Sequence, residues 1–387
     1  MNQSLNPLSF DGRGRTVLVV QRRLPHYRVP FFEALSVRLE KQNLNFKLAH
    51  GDATEEEMLK NDAGHYPSAI KVPTHYYFNG NVCWQAFGSL MKGADLTVFT
   101  PENKLIYNLI PQFLDKKTRL GFWGHGANFQ GNADSLKERY KKIIARQIDW
   151  WFAYTALSVP LVQSSGFPTD RITVLNNSID TVELSALVAA FNADKKLRFF
   201  EQHGLAGHNV GVYVGSLYAD KRIDFLLESA LAIRRLVPDF ELVVVGAGAL
   251  KPEVEAFASR HPWVKVLGML RGADKVSAIC ASKIMLNPGL VGLGILDSFV
   301  CGTPLVTTDC GLHSPEIAYL ENGRNGEMTA NTVTDFSQAC ARLLRESSLL
   351  SGLAKGCRDS AQKYTIDNMA NNFVDGVVRC LEAPIYR

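Results

Sequence analysis

The feature that most constrains this chain is a series of short apolar runs, rich in Val, Ile, Leu and Phe, separated by segments with helical periodicity. Thr16–Val20, Asn45–Leu48, Leu96–Phe99, Arg119–Phe122, Trp150–Tyr154 and Ile172–Leu175 form one set. Val210–Gly215, Glu241–Gly248, Val264–Gly268, Ile284–Leu286 and Leu305–Thr308 form a second. Runs that are apolar throughout, instead of alternating, are the mark of strands buried on both faces. Strands alternating with helices predict open parallel sheets with helices on either side. A chain of 387 residues is long enough for two such domains, each with its own core. The polar, partly helical stretch 181–207 reads as the bridge between them.

Composition narrows the function classes. The net charge is only +4, but residues 1–185 hold 21 Lys and Arg against 17 Asp and Glu, whereas the remainder is balanced. That asymmetry points to a mildly anionic partner of the first half. Nucleic acid is a poor fit, because no reader motif or aromatic-basic platform is present. No apolar run approaches the roughly 18 residues of a membrane span. The opening MNQSLNPLSFDGRGR lacks the apolar core of a secretory signal, so a cytoplasmic location is expected. The seven cysteines contain no C-x-x-C and read as reduced core residues.

The stretch Asn287–Val306, NPGLVGLGILDSFVCGTPLV, carries the chemistry. The strand Ile284–Leu286 breaks at Pro288-Gly289 and leads into a helix whose first turn holds Gly292 and Gly294. A helix start stripped of side chains exposes amides that favour a phosphate. Asp297 lies one to two turns further on, within reach of a hydroxyl-bearing group attached to that anion. In the first half, the strand Thr16–Val20 runs into a polar, basic loop containing Arg22, Arg23, His26, Tyr27 and Arg28. The strand Arg119–Phe122 ends in Gly124-His125-Gly126, where flanking glycines let the imidazole project from the sheet edge. Segment 135–148 has Leu136, Tyr140, Ile143, Ile144 and Ile148 on one stripe with Lys and Arg around it. It reads as a surface helix whose basic flanks suit an anionic membrane.

Asn287–Val306, with Pro315-Glu316-Ile317 and Asn325-Gly326 after it, resembles the nucleotide-sugar-binding core of glycosyltransferase family 4. These are retaining enzymes of the GT-B fold, acting in bacterial polysaccharide and lipopolysaccharide synthesis. The resemblance implies an α/β GT-B architecture, two Rossmann-like doubly wound parallel-sheet domains facing across a cleft. The expected division is an acceptor-binding domain at 1–185, joined by a helix from about 367 to 387, and a nucleotide-sugar-binding domain at 205–366. It implies transfer of a sugar from a UDP- or GDP-sugar to a glycan or a lipid-diphosphate-linked glycan. Two acids with seven residues between them are usual across this turn; Asp297 stands at the second and Gly289 at the first. A Gly-Arg-Leu with a following Lys is usual after the first strand of the second domain; here Gly215-Ser216-Leu217 is followed by Lys221, and Arg222 is a substitute for the missing Arg.

The resemblance assigns Gly215, Ser216, Lys221, Arg222, Met269, Gly289, Leu290, Val291, Gly292, Leu293, Gly294 and Asp297 to the donor. It assigns Arg22, Arg23, His26, Tyr27 and Arg28 to the acceptor, and His125 with Lys221 to catalysis. No D-x-D is present, so neither a metal nor another cofactor is expected, and leaving-group charge would fall to Lys221 and helix amides. A location in the cytoplasm, at the inner face of the membrane, follows. Two other readings keep the architecture: a nucleotide-sugar-binding or regulatory protein without catalysis, and a nucleotide-sugar epimerase.

Overall fold

The computed structural model describes residues 10–58, 62–126 and 142–387. The chain forms two compact units, residues 1–179 with 366–387, and residues 180–365. Each is built on a parallel sheet.

In the first unit the strands are β1 (Thr16–Gln21), β2 (Asn45–His50), β3 (Ile70–Lys71), β4 (Thr74–Tyr77), β5 (Val82–Gln85), β6 (Leu96–Phe99), β7 (Arg119–Gly124), β8 (Trp150–Ala153) and β9 (Ile172–Val174). Seven of them pair in the order β3-β2-β1-β6-β7-β8-β9, all parallel, while β4 and β5 form a separate antiparallel hairpin. Both faces are covered. On one, Val17, Val19, Val98, Trp123 and Phe152 meet Phe31, Phe32 and Leu35 of the helix Val29–Lys41 and Met369, Phe373 and Val377 of the helix Ile366–Glu382. On the other, Leu18, Val20, Phe99, Phe122 and Trp151 meet Phe87, Val162 and Phe167. Phe152 stacks on Phe373 with centroids 4.5 Å apart. Gly376 permits the approach, since a Cβ there would sit 2.7 Å from the Phe152 ring.

The second unit has β10 (Asn209–Val214), β11 (Phe240–Val245), β12 (Val264–Gly268), β13 (Ile284–Leu286), β14 (Leu305–Thr308) and β15 (Gly326–Thr329), in the order β12-β11-β10-β13-β14-β15. β10 lies between β11 on one side and β13 on the other, so the crossover changes direction there. Open α/β sheets open a crevice at the carboxyl ends of such strands. The core joins Tyr213, Leu242, Val244, Ile284, Leu286 and Val306 to Leu226, Ile233, Phe336, Cys340 and Leu343.

Several expectations change. The stretch 181–207 is not a bridge: helices Val182–Ala189 and Ala193–His203 pack in the second unit, where Leu184 meets Val276 and Val300. Asn192 starts the second of these helices by accepting the Lys195 amide at 3.0 Å. Between β6 and β7 the chain forms a 3₁₀ turn, Ile106–Asn108, followed by the helix Leu109–Leu114. Of the basic segment 135–148, residues 135–141 lie outside the described residues; Ile144 is half-buried and Ile148 buried, but Ile143 of the expected stripe is exposed. Cys83, Cys340, Cys357 and Cys380 are buried thiols, and Cys280, Cys301 and Cys310 are partly so.

A fully buried ion pair fastens the first unit. Arg387 Nε lies 3.0 Å from Asp149 Oδ2, with side-chain exposures of 0% and 1%. Asp149 also accepts the amides of Leu120 at 2.9 Å and Tyr386 at 2.7 Å. Removing one partner strands a buried charge. Arg387→Met should therefore lower unfolding free energy by about 3–5 kcal/mol, read by chemical denaturation; a loss below about 1 kcal/mol would show that the pair contributes no more than a surface contact.

Candidate active site

At the crevice of the second unit, the loops after β10 and β13 clamp each other. The Leu290 amide donates to Asp220 O at 3.0 Å, and Lys221 Nζ donates to Leu290 O at 2.5 Å. Gly289 lies between, and a Cβ there would come within 2.5 Å of the Lys221 carbonyl carbon and 2.6 Å of Asp220 O. Gly289, where the resemblance has an acid, thus has a packing reason: a side chain there would displace one of the loops, and the glycine is what lets them meet. Burial lowers the Lys221 pKa from its ordinary value, against the attraction of Asp220. The ammonium is held by a carbonyl, and no ion pair engages it among the described residues.

The helix Gly294–Cys301, which starts four residues past the Leu290 carbonyl that holds this cation, has no side-chain cap. Among the described residues, the amides of Gly292, Leu293 and Gly294 have no backbone acceptor, and nothing lies within 4 Å of where a Gly294 Cβ would be. The Asn287 side-chain oxygen is buried and unpartnered there. One cation, bare amides and open space form a seat for a phosphate group.

His313, which sequence reasoning missed, holds the loop from behind. Its Nδ1 accepts the Val291 amide at 3.2 Å, and its Nε2–H donates to Thr308 O at 2.7 Å. That pattern requires the neutral ring. The only signal for it was position, two residues before Pro315-Glu316-Ile317. Asn325 of the second motif is a brace, donating to Tyr319 O and Ser360 Oγ at 2.9 Å each and accepting the Glu321 amide at 2.8 Å.

The remaining donor assignments divide. Arg222 has left-handed backbone, φ 54° and ψ 52°, and lies over the Phe225 ring at 4.2 Å. Its guanidinium donates to Pro288 O at 3.3 Å, Thr308 Oγ1 at 3.2 Å and Asn331 Oδ1. It therefore ties the loops after β10, β13, β14 and β15 together, a bracing position instead of the expected stand-in for a missing phosphate arginine. Asp297 is buried and pairs with Lys275 Nζ at 2.9 Å, from the helix Gly272–Ala281. Lys275 gave no motif signal. Gly215 and Ser216 follow β10, where the Tyr213 hydroxyl donates to Ser216 O at 2.7 Å. Met269 stands exposed after β12 and is not joined to the Lys221 cluster by any described contact.

In the first unit the basic loop is mostly neutralised. Arg22 makes a bidentate pair with Glu57, at 2.7 and 2.6 Å, and donates to Glu102 at 3.0 Å and Tyr76 at 3.1 Å. The guanidinium holds the Glu57 carboxyl down to about 2. Arg23 is bidentate to Asp62 at 2.7 and 3.0 Å. Arg22 and Arg23 are thus corrected: their charge is spent on Glu57, Glu102 and Asp62, acids distant in sequence. His26 is exposed, with its Nδ1–H facing Asp62 O at 3.3 Å. Arg28 differs. It is 5% exposed, donates to Asn177 Oδ1 at 2.6 Å, and sits among the rings of Tyr27, Trp123 and Tyr154 at 5.2, 5.1 and 5.6 Å. Among the described residues it has no carboxylate partner.

His125 follows β7 on the same strand-end edge. Its Nδ1–H donates to Gly126 O at 2.6 Å, which leaves Nε2 as the acceptor of the neutral ring. Its ring is edge-on to Tyr154, 6.4 Å away. Both neighbouring glycines are required: Gly126 has φ +95°, and a Cβ on Gly124 would strike Pro101 at 2.7 Å. Among the described residues no cluster of three or more His, Cys, Asp or Glu could hold a metal ion, and no helix is long and apolar enough to cross a membrane.

A family profile described as "Glycosyl transferases group 1" matches residues 208–346. A GDP-mannose-dependent alpha-(1-6)-phosphatidylinositol dimannoside mannosyltransferase of Mycobacterium tuberculosis is 25% identical over 285 residues, 68% of this chain and 70% of that protein. The Anabaena protein HepE, solved in complex with UDP, superposes with a TM-score of 0.69 over 94% of this chain and 99% of its own, at 15% identity. The lipopolysaccharide outer core galactosyltransferase WaaB superposes at 0.66, over the same shares, at 14% identity. Fold, profile and relatives agree on one class, the GT-B glycosyltransferases. The fold is that of this class, residues 208–346 match its group 1 profile, and both, with the named relatives, support a transferase enzyme.

Neutral His313 gives the second unit a pH signature. Burial, with the nearby Lys221 charge adding to it, depresses its pKa below 6.5, although the Thr308 carbonyl and Asp309 pull the other way. The unfolded chain then binds the proton more readily. The stabilisation is full above about pH 6.5 and is lost as pH falls from there through the folded value. Denaturation across pH 5–7.5 should show this slope in the parent and a shallower one in His313→Gln; equal slopes would remove His313 from the account.

Proposed function

We propose that this protein is a retaining, metal-independent glycosyltransferase of family 4. It takes a sugar from a UDP- or GDP-sugar to a glycan or lipid-diphosphate-linked glycan in surface polysaccharide assembly, working in the cytoplasm at the inner face of the membrane. The observation that carries the donor half is the seat formed by Lys221 and the uncapped start of Gly294–Cys301. A departing nucleoside diphosphate gains negative charge as the glycosidic bond breaks. A partly desolvated ammonium and preoriented amides stabilise that charge without reorganising. In this reading Asp297, fixed by Lys275, faces the ribose, and exposed Met269 lines the base.

The acceptor half rests on the first unit's strand-end edge. Arg28 keeps guanidinium donors without an acid partner, and His125 presents Nε2. An anionic acceptor head group answers the first, and a hydroxyl the second. Two likenesses favour a membrane-borne acceptor in polysaccharide assembly: the mycobacterial relative is named for a phosphatidylinositol acceptor and GDP-mannose, and WaaB for the lipopolysaccharide outer core. UDP in the HepE complex keeps a uridine donor equally in view. The tight fit at Gly289 supports catalysis over a degenerate binding protein, because the missing acid has a packing reason.

Two variants test the halves separately. Lys221→Ala should weaken nucleoside diphosphate binding by about 1.5–3 kcal/mol in calorimetry; unchanged affinity would sink the donor seat. His125→Ala should lower turnover while nucleotide affinity stays nearly constant. Unchanged turnover would leave His125 with no part in the reaction.

A further inference from the structure

The first unit has a helix that is inside out. In the turn Ile106–Asn108 and helix Leu109–Leu114, the polar side chains point inward: Asn108 donates to Thr100 O at 2.9 Å and Gln112 to Ile144 O at 2.9 Å. Four apolar ones point outward, while Pro111 is buried and Tyr107 packs on the core. Ile106, Ile110, Phe113 and Leu114 are 38%, 37%, 44% and 78% exposed. Their spacing, i, i+4, i+7 and i+8, places them on one helical stripe. A surface helix in water has the opposite arrangement, so this face suits an apolar surrounding.

The rim has a sign. Lys92, Lys116 and Lys117 are exposed and form no ion pair among the described residues. The neighbouring acids are engaged: Asp95 accepts the Thr16 amide at 2.8 Å, Glu102 pairs with Arg22 at 3.0 Å, and Asp115 accepts the amides of Lys117 and Thr118 at 2.8 and 3.0 Å. Beside the helix lies a groove of about 720 Å³ lined by Met91, Lys92, Ile110, Leu114, Lys116 and Lys117. We propose that Ile106, Ile110, Phe113 and Leu114 insert into the interface of an anionic lipid bilayer, with Lys92, Lys116 and Lys117 on the lipid phosphates. Apolar side chains at the acyl boundary with lysines at head-group level are the two components of interfacial binding. A second copy of the chain fits less well, because a two-fold contact would set each lysine rim against its own image. The purpose of the face rests on the proposed lipid-borne acceptor; its chemistry does not.

The test is flotation of the whole protein with vesicles of phosphatidylcholine alone and with phosphatidylglycerol added, at low and high salt, beside calorimetry with UDP and GDP. The parent should float with the anionic vesicles, less so as salt rises. Phe113→Ser with Leu114→Ser should cut the bound fraction about tenfold, and Lys116→Gln with Lys117→Gln should remove most of the salt dependence, with nucleotide affinity unchanged in both. Leu114 is 78% exposed, so Leu114→Asp disturbs no packing and should also weaken flotation, which keeps the test open should the double serine variant misfold. Failure of the parent to float at low salt, equal flotation of Leu114→Asp, or a parent dimer that Leu114→Asp converts to monomer would overturn the proposal. Each of these with nucleotide binding intact would leave the transferase reading standing, whereas lost nucleotide binding in a floating parent would strike that reading alone.

Discussion

The seat proposed for the donor's phosphates depends on one close backbone approach. Gly289 lies against the carbonyls of Asp220 and Lys221, near enough that a single methyl would force the loops apart. Because they meet, the Leu290 amide engages the Asp220 carbonyl, and the Leu290 carbonyl holds the Lys221 ammonium four residues before the start of the helix Gly294–Cys301. Arg222, in a left-handed conformation that costs a non-glycine residue about 1–2 kcal/mol, reaches behind to Pro288, Thr308 and Asn331. His313 fixes Val291 from the other side. This edge of the second unit is thus shaped mostly by backbone, held in place by side chains behind it.

Charge in the first unit follows the same lesson of context. A loop that is basic in sequence presents little free charge, because Glu57, Glu102 and Asp62 fold onto Arg22 and Arg23. Arg28 escapes pairing and is held by ring faces instead, an arrangement worth up to about 2 kcal/mol per desolvated contact. Among the described residues, unpaired positive charge lies elsewhere, and it includes Lys92, Lys116 and Lys117 beside an outward apolar stripe.

Much of the architecture was legible because the central parallel strands are mostly apolar: β6 and β13 coincide with their expected runs, as do β14, which ends in two threonines, and the half-buried edge strand β12, which carries Lys265. The hairpin β4–β5 was not, since THYY and VCWQ carry no continuous apolar run. β15, GEMT, is a short edge strand with the same handicap. At the site, Lys221 and the glycine-rich helix start were readable from a local motif. Lys275 and His313 were not, because each acts through a partner 22 residues away. Linear spacing also gave Gly289 a chemical meaning, a lost acid, where the third dimension gives it a steric one.

The most direct measurement is a crystal structure of the protein with a bound nucleoside diphosphate. The account predicts a phosphate oxygen about 3 Å from Lys221 Nζ, with further oxygens on the amides of Gly292, Leu293 or Gly294. A diphosphate bound away from that helix start, with Lys221 still donating only to the Leu290 carbonyl, would contradict it.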